Sequence, residues 1–281
     1  MIRLARPHFL LGGALLFALG AVAAGGLTTL GYVLGQAMVS SIQLTAQLVN
    51  EYSDAEADAA VRNRTWFSGG SGAIADGTVD PQTALRSAQV TSLIATAAIG
   101  AVALRSPGAA AIGAIALAVA WAYSIEPIRL LGTGIGEIVT TFVVAGGVPL
   151  VGAIVDGGRV ESRLWWAIAV LVPIHLAMML GFELPDLDTD RVAGKRVLAV
   201  RLGGTATLRL VVVLLLLAGG VLVGGISFGA LRAGAAAAGL AGVPGLVTAT
   251  AMRRRSWAVA TAASVATLVV AVAGLMPGLA P

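Results

Sequence analysis

The sequence contains no cysteine. That excludes a disulfide framework, a thiolate nucleophile and a zinc–thiolate centre. Its two histidines, His8 and His175, stand too far apart in the chain to suggest a metal motif. Charge is scarce as well, at 11% of residues, while 58% are hydrophobic. A soluble domain carries about a quarter charged residues and is about half apolar. With a mean hydropathy of +0.92, most of this chain belongs in lipid. A pI near 10.3 does not point to nucleic acid, because the basic residues sit in short loops between apolar spans and form no basic domain.

Long apolar runs are what the chain has instead. A spanning helix needs about 20 mostly apolar residues. Runs at roughly 8–26, 27–49, 84–104, 108–127, 134–154, 163–183, 205–226, 228–250 and 255–277 give an all-α, multi-pass membrane bundle of about nine helices. The start, Met1-Ile2-Arg3-Leu4-Ala5-Arg6 and then apolar residues to Ala21-Val22-Ala23, has the outline of a signal peptide. The many spans that follow favour an ordinary first transmembrane helix. Residues 1–281 therefore read as one polytopic membrane domain, with abundant Gly and Ala suited to close helix packing.

Two connections are long, at about 50–83 and 184–204, as functional loops often are. With the N-terminus in the cytoplasm, fourteen basic residues face it: Arg3, Arg6, Arg62, Arg64, Arg86, Arg129, Arg191, Lys195, Arg196, Arg201, Arg209, Arg253, Arg254 and Arg255. Arg105, Arg159, Arg163 and Arg232 face outward, completing the 18. That bias sets the orientation and checks the alternation of spans. Trp66, Trp121, Trp165, Trp166 and Trp257 fall near span ends or in loops, as interfacial anchors do.

Acidic residues are concentrated where the loops are. Ten of the 14 lie in two segments: Glu51, Asp54, Glu56, Asp58, Asp76 and Asp80, then Glu183, Asp186, Asp188 and Asp190. Asn50, Asp54 and Asp58 recur every four residues, so a continuous helix would put them on one face, about 5–6 Å apart. Asp186 and Asp190 repeat the spacing. Like charges this close repel, and a cation is their natural partner. Two facing ladders offer the hard oxygens that Mg²⁺ needs when substrate phosphate and water complete its shell. Arg62, Arg64, Arg129, Lys195, Arg196 and Arg201 supply a basic complement for a diphosphate.

These stretches resemble the UbiA superfamily of intramembrane prenyltransferases. Asn50-Glu51-Tyr52-Ser53-Asp54-Ala55-Glu56-Ala57-Asp58 resembles its first Asp-rich motif, with Glu51 in place of the usual Asp. Asn63-Arg64-Thr65-Trp66-Phe67-Ser68-Gly69-Gly70-Ser71-Gly72 is similar to the loop of the branch that includes 1,4-dihydroxy-2-naphthoate prenyltransferase. Tyr123-Ser124-Ile125-Glu126-Pro127-Ile128-Arg129-Leu130, continued by Gly134-Ile135-Gly136-Glu137, resembles the family's Tyr-to-basic loop. Asp186-Leu187-Asp188-Thr189-Asp190 and its tail through Gly203 resemble the second Asp motif. Glu183-Leu184-Pro185 stands where menaquinone-type members usually have an Asn-rich stretch and an Arg.

The resemblance implies a helical bundle around a central cavity open sideways to lipid. It implies Mg²⁺ held by Asn50, Asp54, Asp58, Asp186 and Asp190, with Asp54, Asp58, Asp186 and Asp190 catalytic. Arg64, Tyr123, Ser124, Arg129 and Lys195 would contact the diphosphate. The partners implied are a prenyl diphosphate, a lipid-soluble acceptor and membrane lipid. The acceptor stays open between a naphthoate, a benzoate-like phenol, a homogentisate-like ring and a non-aromatic alcohol. Glu183 and Asp58 are the candidates for a general base. Glu137 fits either a catalytic carboxylate or a helix N-terminus, and His175 fits a packing role with a hydrogen-bond partner.

The rival readings explain less. A transporter places ionisable residues near the bilayer midplane, whereas the apolar runs here hold no carboxylate at their centres. A scaffold needs no acidic ladders. A CDP-alcohol phosphotransferase also pairs Asp motifs, but Gly and Arg do not follow these aspartates in its register.

Overall fold

The structure is a computed structural model and describes residues 2–59, 61 and 63–280. Among the described residues there is no strand. The main helices are α1 (His8–Ala23), α2 (Thr29–Ser53), α3 (Pro81–Ala103), α4 (Pro107–Ser124) and α5 (Gly136–Ile154). They continue as α6 (Ser162–Glu183), α7 (Gly204–Ser227), α8 (Ala233–Arg253) and α9 (Trp257–Leu279). In lipid only such segments satisfy their own backbone groups.

Local signals set the helix starts. Thr28 accepts a hydrogen bond from the Gly31 amide, Asp80 from Gln82 and Ser106 from Ala109, and prolines follow the last two caps at Pro81 and Pro107. Near Gly146, Gly147 and Pro149 the α5 ladder loosens into a π-helical stretch, Phe142–Gly147, because Pro149 has no amide to donate. Seven of the main helices are long and apolar enough to cross a membrane, judged on the described residues. The first two expected spans are helices too. One, α1, has only 16 residues, and α2 carries Gln36, Gln43 and Gln47, which lower its hydropathy.

One core packs α1 to α5 around Phe17, Met38 and Val151. Another packs α5 to α9 around Leu171, Leu222 and Leu275. Contacts of α9 with α1 and α6 close the ring. Between the halves, Thr141 of α5 meets His175 of α6 at 3.0 Å, the partner expected for a buried histidine. On the face away from the long loops, Asp156 accepts from Arg105 at 2.6 Å and from the Thr28 amide at 2.7 Å. Arg163 and Arg232 both donate to the Ala280 carbonyl there. Arg105, Arg163 and Arg232 were expected on that one side.

Small residues decide how closely α1 and α5 cross. A Cβ on Gly20 would strike the Pro149 carbonyl, and one on Gly152 would strike that of Phe17. Gly20→Val is therefore expected to lower stability by about 1–3 kcal/mol through overpacking. Gly12→Val meets nothing within 4 Å and should be close to neutral. Thermal unfolding in detergent compares the two, and equal midpoints would contradict the packing.

Candidate active site

The continuous helix expected through Asp58 is broken at Asp54. This residue caps α2 with φ −99° and ψ 7°, and Asp58 lies on a separate short helix, Ala55–Ala59. Ser53 bonds back to the Asn50 carbonyl, the local competition that ends helices at Ser, Asn and Asp. The amide ladder nevertheless runs on, from Asp54 to the Asn50 carbonyl at 2.9 Å and from Asp58 to the Asp54 carbonyl at 2.8 Å. The second ladder breaks in the same way. Asp186, behind Pro185, has φ −100° and ψ 2° and precedes the short helix Leu187–Val192. Both leading aspartates occupy the sparsely allowed bridge region where many active-site residues sit.

A single lysine joins the two motifs. Lys195 Nζ donates to Asp54 Oδ2 at 3.0 Å and lies 3.3 Å from Asp190 Oδ1, and all three side chains are about nine-tenths buried. Asn50 Nδ2 also donates to Asp54 Oδ2, at 3.1 Å. Burial alone would lower the Lys195 pKa, but Asp54 and Asp190 outweigh it and hold it above the ordinary value. Burial, and then the Asp54 charge, push Asp58 up to about 7. A cation taking Asp58 as ligand therefore displaces a proton near neutral pH.

The donor set suits a hard cation. Asp54 Oδ1 and Asp186 Oδ1 are buried without a partner, and such atoms are costly unless something binds them. Among the described residues no three His, Asp or Glu side chains converge tightly enough to hold a metal alone. The carboxylates are instead spread around Lys195, which leaves coordination to be completed by a ligand's own oxygens, as Mg²⁺ sites with phosphate usually are.

The first loop is folded onto α2 by Glu51, which stands where the motif usually has an aspartate. Glu51 accepts from the Ser71 amide and hydroxyl, both at 2.6 Å, and Arg6 approaches it at 4.0 Å. Arg64 donates to the Asp58 carbonyl at 2.7 Å and the Gly69 carbonyl at 2.6 Å, so it fastens the loop behind Asp58. Gly70, at φ +67°, lets the backbone pass where any Cβ would strike the Asp58 carboxylate. Arg62 lies outside the described residues. Sequence reasoning read Arg6 only as part of the charge bias, yet its field reaches Asp58 and Asp186. No local pattern marks it. Phe9, Phe67 and Phe182 build an aromatic wall beside it, with Phe67 and Phe182 stacked at 6.0 Å and Arg6 4.5 Å above Phe9.

The second loop hangs on two buried glutamates. Leu198 donates its amide to Glu137 at 3.2 Å and Ala199 donates to Glu183 at 3.0 Å, which holds the segment after Lys195. The side chains of Glu137 and Glu183 are buried neighbours. Their other oxygens are buried without a partner. Both residues thus serve positions that sequence spacing did not reveal. Tyr123 sits among Glu137, Glu183, Asp54 and Asp190. Its ring lies against Gly136, where a Cβ would come within 2.9 Å of it. Ser124 is buried with its hydroxyl unpaired. Arg129, at φ +39°, turns its guanidinium to Glu126 at 3.6 Å. It lines a cavity of about 290 Å³ together with Thr133 and Lys195.

Glu51→Ala leaves two Ser71 donors without acceptor, a change worth about 1–3 kcal/mol. Limited proteolysis should then cut the 63–79 loop faster while helicity stays constant. An unchanged cleavage rate would show that Glu51 does not fasten the loop. Glu137→Gln keeps a donor and an acceptor and should unfold near the wild-type temperature. Glu137→Ala orphans the Leu198 amide and should lose about 1–3 kcal/mol; equal midpoints for the two variants would refute the tie.

The bundle of apolar helices, with its buried carboxylates gathered at one end of the spans, defines an integral membrane protein. Residues 9–269 match the UbiA prenyltransferase family, and the chain belongs to that family. It is an intramembrane prenyltransferase. Among solved structures it is similar to a UbiA homologue from Aeropyrum pernix K1, at TM-score 0.72 and 17% identity, covering 96% of each chain. It is also similar to a digeranylgeranylglyceryl phosphate synthase, at TM-score 0.68 and 12% identity, covering 99% of this chain and 96% of that one. An Archaeoglobus fulgidus UbiA homologue bound to DMAPP and Mg²⁺ matches at TM-score 0.63 and 15% identity, over 95% of this chain and 85% of that one. At such identities these likenesses establish the fold. No curated protein sequence matches the chain.

Proposed function

We propose that this protein transfers a prenyl group, in an Mg²⁺-dependent reaction, from a prenyl diphosphate to a lipid-soluble aromatic acceptor of quinone-type biosynthesis. The observation that carries the reading is the pair of broken aspartate ladders around one buried lysine, with unpartnered oxygens on Asp54 and Asp186. The homologue solved with DMAPP and Mg²⁺ supports it. The resemblance of the Asn63–Gly72 stretch to the naphthoate branch supports an aromatic acceptor. The whole chain serves as one membrane domain, with its long loops in the cytoplasm.

Asn50, Asp54, Asp58, Asp186 and Asp190 would hold the metal. Bound there, Mg²⁺ supplies positive charge where the diphosphate gains negative charge as its C–O bond breaks. Lys195, Arg64 and Arg129 orient and neutralise the same group, and Tyr123 and Ser124 line its approach. The apolar bundle keeps water from the allylic cation that the departing diphosphate leaves.

Purified protein in detergent should convert labelled geranylgeranyl diphosphate and one of a panel of acceptors to a lipid-soluble product, and EDTA should stop it. Asp54→Ala should fold and lose at least about 100-fold in turnover, as when a group that meets developing charge is removed. A folded, active Asp54→Ala protein would refute the metal role. A product formed only with an alcohol would replace the aromatic acceptor by a non-aromatic one.

A further inference from the structure

We infer that Lys195 is a resident counter-ion in the metal site, and that it makes Mg²⁺ binding depend on the diphosphate. The inference rests on the proposed function and adds an order and a coupling to it. Lys195 Nζ contacts one carboxylate from each motif, Asp54 at 3.0 Å and Asp190 at 3.3 Å. Those are two of the residues that would hold the metal. A lysine ammonium and a divalent cation cannot share these oxygens without repulsion. Mg²⁺ arriving alone therefore has to evict a buried ammonium and leave it unpaired, which is costly. Mg²⁺ arriving with a diphosphate brings the displaced lysine a new partner.

The surroundings give Lys195 somewhere to go. It follows Gly194, which has φ +73° and no neighbour within 4 Å of a Cβ. Gly203, at φ +75° and equally open, ends the segment. On its other side Lys195 lines the cavity of about 290 Å³ that also holds Arg129 and Thr133. A small rotation at Gly194 carries the ammonium from the aspartates toward that cavity, where a diphosphate held by Arg129 would meet it.

The coupling is thermodynamic and so reciprocal: diphosphate must raise metal affinity by the same factor that metal raises diphosphate affinity. Full-length Lys195→Gln and Lys195→Arg proteins test it by calorimetry with MgCl₂ alone, and then with geranyl diphosphate at saturating MgCl₂. Lys195→Gln should bind Mg²⁺ alone about tenfold more tightly than wild type, since a competing charge is gone. It should bind geranyl diphosphate about tenfold more weakly in Mg²⁺, since a charged partner is lost. Lys195→Arg, which keeps the charge, should restore the dependence of metal on diphosphate. Thermal unfolding gives a second readout: added MgCl₂ should raise the midpoint of Lys195→Gln more than that of wild type. If Lys195→Gln binds Mg²⁺ alone no better than wild type, the counter-ion role is wrong, even when wild type binds geranyl diphosphate only with Mg²⁺. If wild type shows no Mg²⁺-dependent binding of geranyl diphosphate, the prenyl-transfer reading itself fails.

Discussion

Everything at the loop face depends on one buried cation held between two carboxylates. The Lys195 contacts join the end of α2 to the loop after α6, across 141 residues of sequence from Asp54. Ions this deeply buried lose their hydration, and removing one member of such a set typically costs about 3–5 kcal/mol. The two Asp motifs are therefore coupled, since each supplies one carboxylate to the same buried ammonium.

Polar side chains around this interaction hold the loops in place. Glu51 takes two bonds from Ser71, and Arg64 closes the loop behind Asp58. On the other side Glu137 and Glu183, from α5 and the end of α6, take the amides of Leu198 and Ala199. Each Asp ladder is thus backed by a carboxylate whose work is to hold a loop amide. Glu183 stood as a candidate base on its place beside the second motif. Its bond to Ala199 gives it a structural duty first, and its partnership with Glu137 ties the Tyr-to-basic loop to the segment carrying Lys195.

Periodicity and composition made much of this visible before any coordinates. Apolar runs of spanning length mark helices because a helix satisfies its own backbone in lipid, and the four-residue spacing of Asn50, Asp54 and Asp58 survives in the amide bonds from Asp54 to Asn50 and from Asp58 to Asp54. What stayed hidden depends on tertiary partners. The kink at Asp54 comes from side-chain competition for backbone groups, which spacing does not register. Glu51 looked like a mild change of a metal ligand, and only the position of Ser71 shows its role. Arg6 looked like one of many arginines satisfying an orientation rule, and Arg129 like a simple clamp, although it pairs with Glu126. Residues that serve charge asymmetry and residues that serve a site have the same sequence signature, so the asymmetry masks the site.

The location of the centre follows from the two natures of a prenyl diphosphate. Its head is a polyanion that stays in water, and its tail is hydrocarbon that stays in lipid. A site at the bilayer midplane would have to strip the head of its solvent; a site in a soluble loop would leave the tail exposed. The ends of α2 and α6 meet both demands, since the ladders begin where the apolar spans stop and the helices break there to turn carboxylates inward. Asp54 and Asp186 share nearly the same backbone angles, φ near −100° with ψ near 0°. Two chain segments of unrelated sequence reach one backbone geometry, each where an aspartate ends a membrane helix, and Lys195 then pairs with Asp54 of the first motif and Asp190 of the second.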